Sequence, residues 1–537
     1  MESPEQPVTA NPELKRARLD EGPAEASLEK KPRVQADVTP SDSGVSAESS
    51  TQARGKGKGK KEQSRRAGRA VRQQNREQGQ RGGTRAEGEE VEEDSEKGPR
   101  LPKRQCALLL GFCGSAYNGM QIQTEVRTIE GVLFEALGKA GAVSKDNSKD
   151  LKKVNFNRAA RTDAGVHAAG NLVSMKMIME VPDVPDLTAR VNELLPPDVR
   201  LWGFVRVQNS FNARSRKYTY FFPSYMLIPP KTDSALYKSS IEQHGASFSL
   251  LDFWKDASVE STPADDLIRK RQWRAPKEAV EALREIAKRY EGSHKFHNFT
   301  VGHEFNEMQS LRYMKKIEIS DPVVYGETEW ISVVLHGQSF MLHQVRYPAS
   351  LRKMMAALIL ACRTNTPATV IEELCGPRGA FVPKMPALGL MLEYPIFETY
   401  NKRIQNESNK STDDKDYRAP IDFELHREKI EQFKEEFIYP KMRDVEDRSG
   451  IFDAWLRSID KYEGSDLLWL GPKGILPDAA VIQRGKHRTQ PFREKKRFDA
   501  TSFPEGRIEE MDAEDEEEIE VEEDISTDKN QPEGMEA

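Results

Sequence analysis

A single carboxylate stands in a small, apolar stretch of the chain. In FNRAARTDAGVHAAGN, residues 156–171, the acidic side chain is Asp163, with Arg161 two residues before it and Gly165 two residues after it. Gly165 predicts a turn of positive φ or a close backbone approach after the aspartate. Residues i and i+2 of an extended segment share a face, so Arg161 and Asp163 can point into one cleft. The guanidinium would keep a partly buried carboxylate ionised and hold it by charge-assisted hydrogen bonds. On spacing alone, a structural ion pair at a strand end is the commoner interpretation.

Apolar periodicity predicts the elements that must position Asp163. In chain order they are a buried strand (105–112), a helix (128–141), a half-buried strand (171–179), a strand (216–222), a helix (276–292), two paired antiparallel strands (LRYMKKIEIS and WISVVLHGQSF) and a buried helix (KMMAALILACR). Helices packed on a mostly antiparallel sheet make the fold class α+β, with two similar halves.

Composition confines the folded region to the middle of the chain. Of the 537 residues, 31% are charged, and Ser, Pro, Gly and charge dominate both ends, which we predict to be disordered tails. The predicted divisions are a basic N-terminal tail (1–103), an N-terminal catalytic half (104–230), a polar, irregular insertion (231–275), a C-terminal catalytic half (276–401), a helical extension (402–485) and an acidic tail (486–537).

The two tails carry opposite charge. Residues 54–85 contain twelve Lys or Arg and two Glu, whereas residues 509–524 contain twelve acids in sixteen positions. We interpret the basic run as a nuclear-import and RNA-backbone segment rather than a merely solvated tail, and therefore expect a nuclear protein. The acidic run either keeps the chain soluble or screens a basic RNA-binding surface.

Cysteine and apolar content exclude several classes of protein. The four cysteines, at 106, 113, 362 and 375, form no CxxC pair, which suits a reducing compartment and argues against a cysteine-based zinc site. No run approaches the eighteen apolar residues of a membrane span. His294 and His297 form an H-x-x-H pair without a third ligand, which is a weak indication of zinc.

Five motifs together resemble one enzyme family. The segment RAARTDAGVHAAGN resembles the active-site loop of TruA-type tRNA pseudouridine synthases. Four further segments resemble the family's other motifs and cover about residues 105–401 in the expected order. They are GFCGSAYNGMQIQ, RKYTYFF, GQSFMLHQVR and VPKMPALGLMLEYPIFETYN. FHNFT (296–300) and FKEEFIYP (433–440) resemble the eukaryotic nuclear branch, the Pus1-like enzymes.

The resemblance implies an isomerase with a basic cleft between its halves and no cofactor. Breaking the C1′–N1 bond of uridine and joining C1′ to C5 involves no redox change. Asp163 would either attack the pyrimidine ring or C1′ as a nucleophile, or assist loss of the C2′ proton, and both routes stay open.

The resemblance also implies roles for further side chains. Tyr218, the first tyrosine of KYTY, would stack on the flipped uracil and carry a hydroxyl for proton transfer, and Arg346 would pair with the catalytic aspartate. Leu388 and Leu390 would form an apolar wall under the base. The candidates for phosphate contacts are Arg158, Arg214, Arg216, Lys217 and Arg312.

The implied partner is tRNA, with snRNA and mRNA as further candidate substrates, and we expect a monomer that needs no membrane or small-molecule cofactor. A competing interpretation is a non-catalytic RNA-binding relative, but loss of Asp163 or Tyr218 would be expected there. A nucleoside glycosidase normally needs a second acid near the first, and the motif holds one.

The chain departs from the family pattern at YPASLR, residues 347–352, which stand between HQVR and KMM. Pro348 would cost roughly 3 kcal/mol in the interior of a helix. Removing 346–351 or 347–352 leaves the same sequence, so the partner of the aspartate is Arg346 or Arg352. We favour Arg346.

Overall fold

The structure is a computed structural model. It describes residues 101–207, 213–244, 252–255, 261–300, 302–338, 348–407, 414, 417–483 and 485–501. None of the helices in these ranges is both long enough and apolar enough to cross a bilayer.

The strands of the described chain form one mixed sheet. In chain order they are β1 (Lys103–Phe112), β2 (Asn157–Arg158), β3 (His167–Ile178), β4 (Val199–Arg206), β5 (Ser215–Pro223), β6 (Gly292–Lys295), β7 (Leu311–Ile319), β8 (Val323–Tyr325), β9 (Thr328–Gln338) and β10 (Leu390–Ile396).

The α-helices of the described chain lie between and after these strands. They are α1 (Ile129–Lys139), α2 (Leu187–Leu194), α3 (Ala235–His244), α4 (Pro263–Gln272), α5 (Lys277–Lys288), α6 (Pro348–Arg363), α7 (Val370–Leu374), α8 (Glu398–Glu407), α9 (Arg427–Phe433), α10 (Tyr439–Ser449) and α11 (Ile451–Asp460). A π-helix, Lys434–Ile438, joins α9 to α10. The predicted α+β class with a mostly antiparallel sheet is confirmed.

A short parallel junction unites two groups of strands in the sheet, whose order is β4-β1-β3-β10-β5-β9-β7-β6, with β2 on β3 and β8 on β9. Neighbouring strands are antiparallel except β3 and β10, which pair in parallel at Met391–His167 and Leu392–Ala168. β5 pairs with β9 and β10, although we assigned it to the N-terminal half. The junction therefore brings the start of β3 close to β5.

The strand after the Asp163 loop is longer and more buried than its alternating pattern predicts. β3 begins at His167 rather than at 171, and Lys176 is its one exposed residue. The C-terminal extension explains this burial. A Cβ on Gly170 would lie 2.9 Å from the Phe423 ring, and Phe433 packs edge-on against Trp202 of β4. The prediction of a half-buried strand was wrong because residues from outside the sheet cover its second face.

Local signals set the ends of two helices near the site. The Thr128 hydroxyl accepts a hydrogen bond of 3.3 Å from the Gly131 amide, which caps α1 as expected. Pro348 is the first residue of α6, where its missing N–H and fixed φ are tolerated. The cost that Pro348 would carry in the interior of a helix therefore does not apply to α6.

Two segments are more regular than we predicted. The insertion 231–275 was expected to be irregular but contains α3 and α4. A capping box of Thr262 and Asp265 begins α4. The folded region also continues past the predicted boundary at 486. Phe498 and Thr501 are buried, so residues 485–501 pack on the folded region that precedes them. Composition did not reveal that these two segments are folded, because both are rich in polar residues.

A buried ion pair joins the C-terminal extension to α6. Arg363, the last residue of α6, donates to both carboxylate oxygens of Asp460 in α11, at 2.6 and 3.0 Å. Its Nε also donates to the Ile228 carbonyl at 3.0 Å. The arginine side chain is 2% exposed, so its charge depends on these partners.

Replacing Arg363 by methionine should lower the free energy of unfolding by about 3–5 kcal/mol, because Asp460 would keep a largely buried charge without its partner. Urea unfolding at pH 7 measures the loss. The control is Arg378→Met, whose 40% exposed side chain pairs with Glu373 and should contribute about 0–1 kcal/mol. Equal losses of unfolding free energy in the two variants would contradict the larger contribution that we expect from the buried pair.

Candidate active site

Asp163 lies in the loop between β2 and β3, and backbone hydrogen bonds to a neighbouring segment hold this loop. The Met120 amide donates to the Thr162 carbonyl at 3.1 Å, and the Gly165 amide donates to the Tyr117 carbonyl at 3.1 Å. These bonds fall on both sides of Asp163. The loop position is therefore fixed by the chain that precedes α1.

The turn after Asp163 requires a glycine. The Val166 amide donates to the Asp163 carbonyl at 3.2 Å, and Gly165, third in this turn, has a φ of +75°. The predicted positive φ at Gly165 is confirmed. Thr501 packs directly against this glycine, because its hydroxyl occupies the place where a Cβ on residue 165 would stand.

Asp163 and Arg161 are both exposed, whereas Thr162 between them is buried. The two charged side chains thus alternate with a buried one, as residues of an extended segment do. We expected a partly buried carboxylate, but the loop crosses the surface and leaves Asp163 open to solvent. Arg161 lies near Glu130 of α1, whose pKa it helps to lower against the effect of burial.

Tyr218 lies within electrostatic range of Asp163. Its side chain is 5% exposed, and burial raises the pKa of its hydroxyl to about 12, with Arg216 opposing the shift and Asp163 adding to it. The hydroxyl is therefore protonated at neutral pH. In the sheet Tyr218 stands opposite Leu392 of β10 and Leu335 of β9.

The two cations beside Tyr218 point in opposite directions from the sheet. Arg216 is buried and donates to the Ala159 carbonyl at 2.7 Å, at the beginning of the Asp163 loop. Lys217 lies on the other face, where its ammonium donates to the Tyr394 hydroxyl at 3.2 Å. Arg216 therefore supports the loop, and Lys217 stands away from Tyr218. The proposed phosphate contacts of both stay predictions.

Arg158 forms an ion pair with a buried acid. Its guanidinium binds both carboxylate oxygens of Glu130, whose side chain is completely buried in α1. Burial raises the pKa of Glu130, while Arg158 opposes that shift. The pair ties α1 to β2, directly before the Asp163 loop. A phosphate contact by Arg158 stays a prediction.

The two leucines selected from the sequence are completely buried. Leu390 stands opposite Tyr220, and Leu388 lies in the short 3-10 turn before β10. Leu392, which sequence reasoning missed, is the β10 residue opposite Tyr218. The alternation of ALGLMLE contained the signal, since Leu390 and Leu392 share a face two residues apart.

Arg346 lies outside the described residues. The alternative, Arg352, is buried and has other partners. It donates to the Met385 carbonyl at 2.5 Å and to the Phe498 carbonyl at 2.9 Å, and it forms an ion pair of 2.5 Å with Asp499. Burial alone would raise the pKa of Asp499, but Arg352 and Lys384 hold it below its usual value. Arg352 thus fastens the C-terminal segment.

His167, to which we assigned no role, supports the loop from below. It is completely buried at the start of β3, and its Nδ1 accepts a hydrogen bond of 3.1 Å from the Gly114 amide. Burial, with a smaller effect of Lys441, lowers the pKa of His167 to about 4. The ring is therefore neutral at physiological pH and acts as an acceptor. No sequence pattern marks this contact.

The remaining predicted residues are dispersed. Arg214 donates to the Thr399 hydroxyl at 3.2 Å, and Arg312 lies on β7, opposite His294 of β6. His294 contacts the Glu291 carbonyl at 2.9 Å, and His297 is buried. Across the described ranges, no group of three His, Cys, Asp or Glu side chains is arranged to hold a metal ion.

The site thus combines an exposed carboxylate on a held loop with a buried, protonated phenol. The carboxylate can act as a nucleophile or a base on a ligand that reaches the loop, and the phenol can donate a hydrogen bond.

Comparisons with known proteins identify relatives of this chain. Residues 286–398 match a family model described as tRNA pseudouridine synthase. The proteins called tRNA pseudouridine synthase 1 of Candida glabrata and Saccharomyces cerevisiae are each 40% identical to 68% of this chain, which covers 72% and 73% of their lengths. The protein of that name from Schizosaccharomyces pombe is 35% identical over 70% of this chain and 87% of its own length.

The contact between Gly165 and Thr501 can be tested without any ligand. Alanine at either Gly165 or Gly302 would adopt a positive φ, at a cost of about 1–2 kcal/mol. Only Gly165→Ala must also displace Thr501, since nothing lies within 4 Å of the Cβ position at Gly302. We expect Gly165→Ala to lower the melting temperature more than Gly302→Ala does.

Adding Thr501→Gly should recover part of the loss in Gly165→Ala, because it removes the overlapping side chain but leaves the backbone strain. Melting curves of the two single variants and the double variant are compared. Equal melting temperatures for Gly165→Ala and Gly302→Ala would disprove the packing of Thr501 on the loop.

Proposed function

Because the chain belongs to the tRNA pseudouridine synthase family, we propose that it converts uridines in tRNA to pseudouridine with Asp163 as the catalytic carboxylate. The observation that carries the proposal is the exposed Asp163 carboxylate, on a loop held by hydrogen bonds at both flanks and within electrostatic range of Tyr218. A reacting sugar can reach a carboxylate so placed, and the loop bonds limit the number of orientations it takes.

The reaction is balanced without a redox partner. The C1′–N1 bond breaks, the uracil turns, C1′ joins C5, and the hydrogen on C5 leaves as a proton while N1 gains one. Asp163 acts either by forming a covalent bond to C1′ or to the ring, or by accepting the C2′ proton. In the routes that act at the sugar, its negative charge lies beside the positive charge that develops at C1′ as the base departs.

Tyr218 supplies a neutral hydroxyl to this chemistry. With a pKa of about 12 it does not act as a base in its resting state at neutral pH. It can donate a hydrogen bond to the detached base or the sugar, and it can pass a proton in concert with another group. Its nearly complete burial keeps the ring rigid, which favours retention of the base in one orientation.

The target base must leave its helix to reach Asp163. Flipping a nucleotide costs a few kcal/mol, which contacts to the RNA backbone have to offset. Folded RNA is recognised largely by shape and phosphate contacts, so the proposal extends to uridines of snRNA and mRNA in similar surroundings. One chain carries both Asp163 and Tyr218, which supports a monomeric enzyme.

Tritium release from tRNA transcripts containing 5-³H-uridine tests the proposal, since bond formation at C5 expels that hydrogen. We expect release by the wild type and a loss of at least ~10³-fold in Asp163→Asn, which keeps the size of the side chain but removes its charge. Asp146→Asn, at an exposed acid away from the loop, is the control and should behave as the wild type.

Tyr218→Phe in the same assay separates the ring from the hydroxyl. A loss of about 10²-fold with unchanged RNA binding is the expected result for a proton-transfer or hydrogen-bonding role. If the wild type binds tRNA and releases no tritium, the catalytic proposal fails and the RNA-binding alternative is favoured.

The basic run at 54–85 supports a second proposal, that the enzyme enters the nucleus. Replacing its twelve Lys and Arg by Gln should move a fluorescent fusion of the full chain from the nucleus to the cytoplasm. Fluorescence microscopy measures the ratio between the compartments. An unchanged nuclear ratio would refute an import role for this run.

A further inference from the structure

A basic pocket of about 260 Å³ lies in the C-terminal extension, outside the site described above. The end of α11 forms one wall, and residues 492–497 form the other. Its lining side chains are Ala454, Arg457, Ser458, Lys461, Tyr462, Phe492, Arg493, Lys495 and Arg497. This set, the basic pocket, has five cationic members and no acidic one.

Alternate side chains of the C-terminal segment form one wall of the basic pocket. Arg493, Lys495 and Arg497 line the basic pocket, whereas Glu494 and Lys496 between them do not. Glu494 instead forms an ion pair of 2.9 Å with Lys384. The segment therefore directs its acid away from the pocket and three of its cations toward it.

Two aromatic side chains shape the pocket between the walls. The rings of Tyr462 and Phe492 meet edge to face with centroids 5.2 Å apart. The Tyr462 hydroxyl also donates to the Gln490 carbonyl at 2.7 Å, which holds the C-terminal segment beside α11. The walls are thus joined by packing and hydrogen bonding, so the cations are gathered on a built surface.

Of the ion pairs that Asp453 and Asp499 form, one includes a cation of the basic pocket. Asp453 forms an ion pair of 2.8 Å with Arg457 and also one with Lys270. Asp499 pairs with Arg352 and Lys384, away from the pocket. Lys461 follows the last residue of α11, where a cation stabilises the helix dipole. That effect does not account for Arg493 or Lys495, which belong to another segment.

The pocket is close to the catalytic loop along the chain. Arg497 is four residues before Thr501, and Thr501 packs on Gly165, two residues from Asp163. Four residues span at most ~14 Å. An RNA that places a uridine at Asp163 therefore has its flanking backbone within reach of a surface that attracts phosphate.

We propose that the basic pocket binds backbone phosphates of the RNA substrate beside the target uridine. The inference rests on the proposed function, because it takes the bound RNA to be positioned by Asp163. Phosphate contacts carry no sequence information but fix the register of the RNA on the protein. The pocket would thereby supply part of the binding energy that offsets extrusion of the base.

The test measures binding of a fluorescent tRNA transcript by anisotropy between 50 and 300 mM salt. We expect the triple variant Lys461→Gln, Arg493→Gln, Lys495→Gln to bind roughly ten- to a hundredfold more weakly at physiological salt. The slope of log Kd against log salt should also fall by about 2–3, the value for three lost phosphate contacts.

The matched control, Lys473→Gln, Lys486→Gln, Lys496→Gln, removes the same charge from exposed positions outside the pocket. It should retain the wild-type slope to within about one unit. Equal affinities and slopes in the two triple variants, or an unchanged slope in the pocket variant, would overturn the proposal. Arg493→Gln alone covers the case in which the pocket variant misfolds: a slope lower by about one supports the proposal, and an unchanged slope overturns it.

Tritium release by the wild type, measured on the same preparation, separates the two proposals. If the wild type releases tritium and the pocket variant binds RNA as the wild type does, the pocket proposal is overturned and the catalytic proposal stands. If the wild type releases no tritium and the pocket variant shows the expected change in slope, the catalytic proposal is overturned and the pocket stands as an RNA-binding surface.

Discussion

The parallel pairing of β3 with β10 is the contact on which the arrangement of the site depends. It consists of two residue pairs, His167–Met391 and Ala168–Leu392, yet it joins the two groups of antiparallel strands into one sheet. Leu392 in turn pairs with Tyr218 on β5. Adjacent strands are about 4.8 Å apart, so the tyrosine stands two strand spacings, roughly 10 Å, from the start of β3. Without this junction Asp163 and Tyr218 would belong to separate sheets.

The polar groups near the junction differ in their exposure to solvent, and this difference determines which of them a ligand can reach. His167 and Tyr218 are both uncharged at neutral pH, and burial moves the pKa of each further from 7, so neither brings a competing charge into the site. Glu130 is buried too, but Arg158 holds it as an ion pair at the base of the loop. Asp163 is the member of this group that is open to solvent. A ligand can displace water from it without breaking the packing of the others.

Local patterns predicted much of this architecture, because strand alternation, helix periodicity and capping are short-range properties. Thr128, the strand of Tyr218 and the positive φ of Gly165 were all readable in this way. The family motif was also needed to distinguish Asp163 from an ordinary ion-paired acid.

What escaped prediction depends on long-range packing. The second buried face of β3 and the packing of residues 485–501 are determined by partners distant in the chain. The last of these segments shows little hydrophobic periodicity, since its apolar contacts come from a few separate residues such as Phe492 and Phe498. Arg352 binds the Phe498 carbonyl and the neighbouring Asp499.

The contact of Thr501 with Gly165 also bears on the time at which the enzyme becomes complete. A ribosome that adds about 5–20 residues per second takes roughly half a minute to travel from one residue to the other. During that interval the loop that carries Asp163 exists, but the residue that packs on it has not been synthesised. The finished environment of the loop therefore forms only after residue 501 has been added, so a nascent chain that already carries the loop lacks it for that interval.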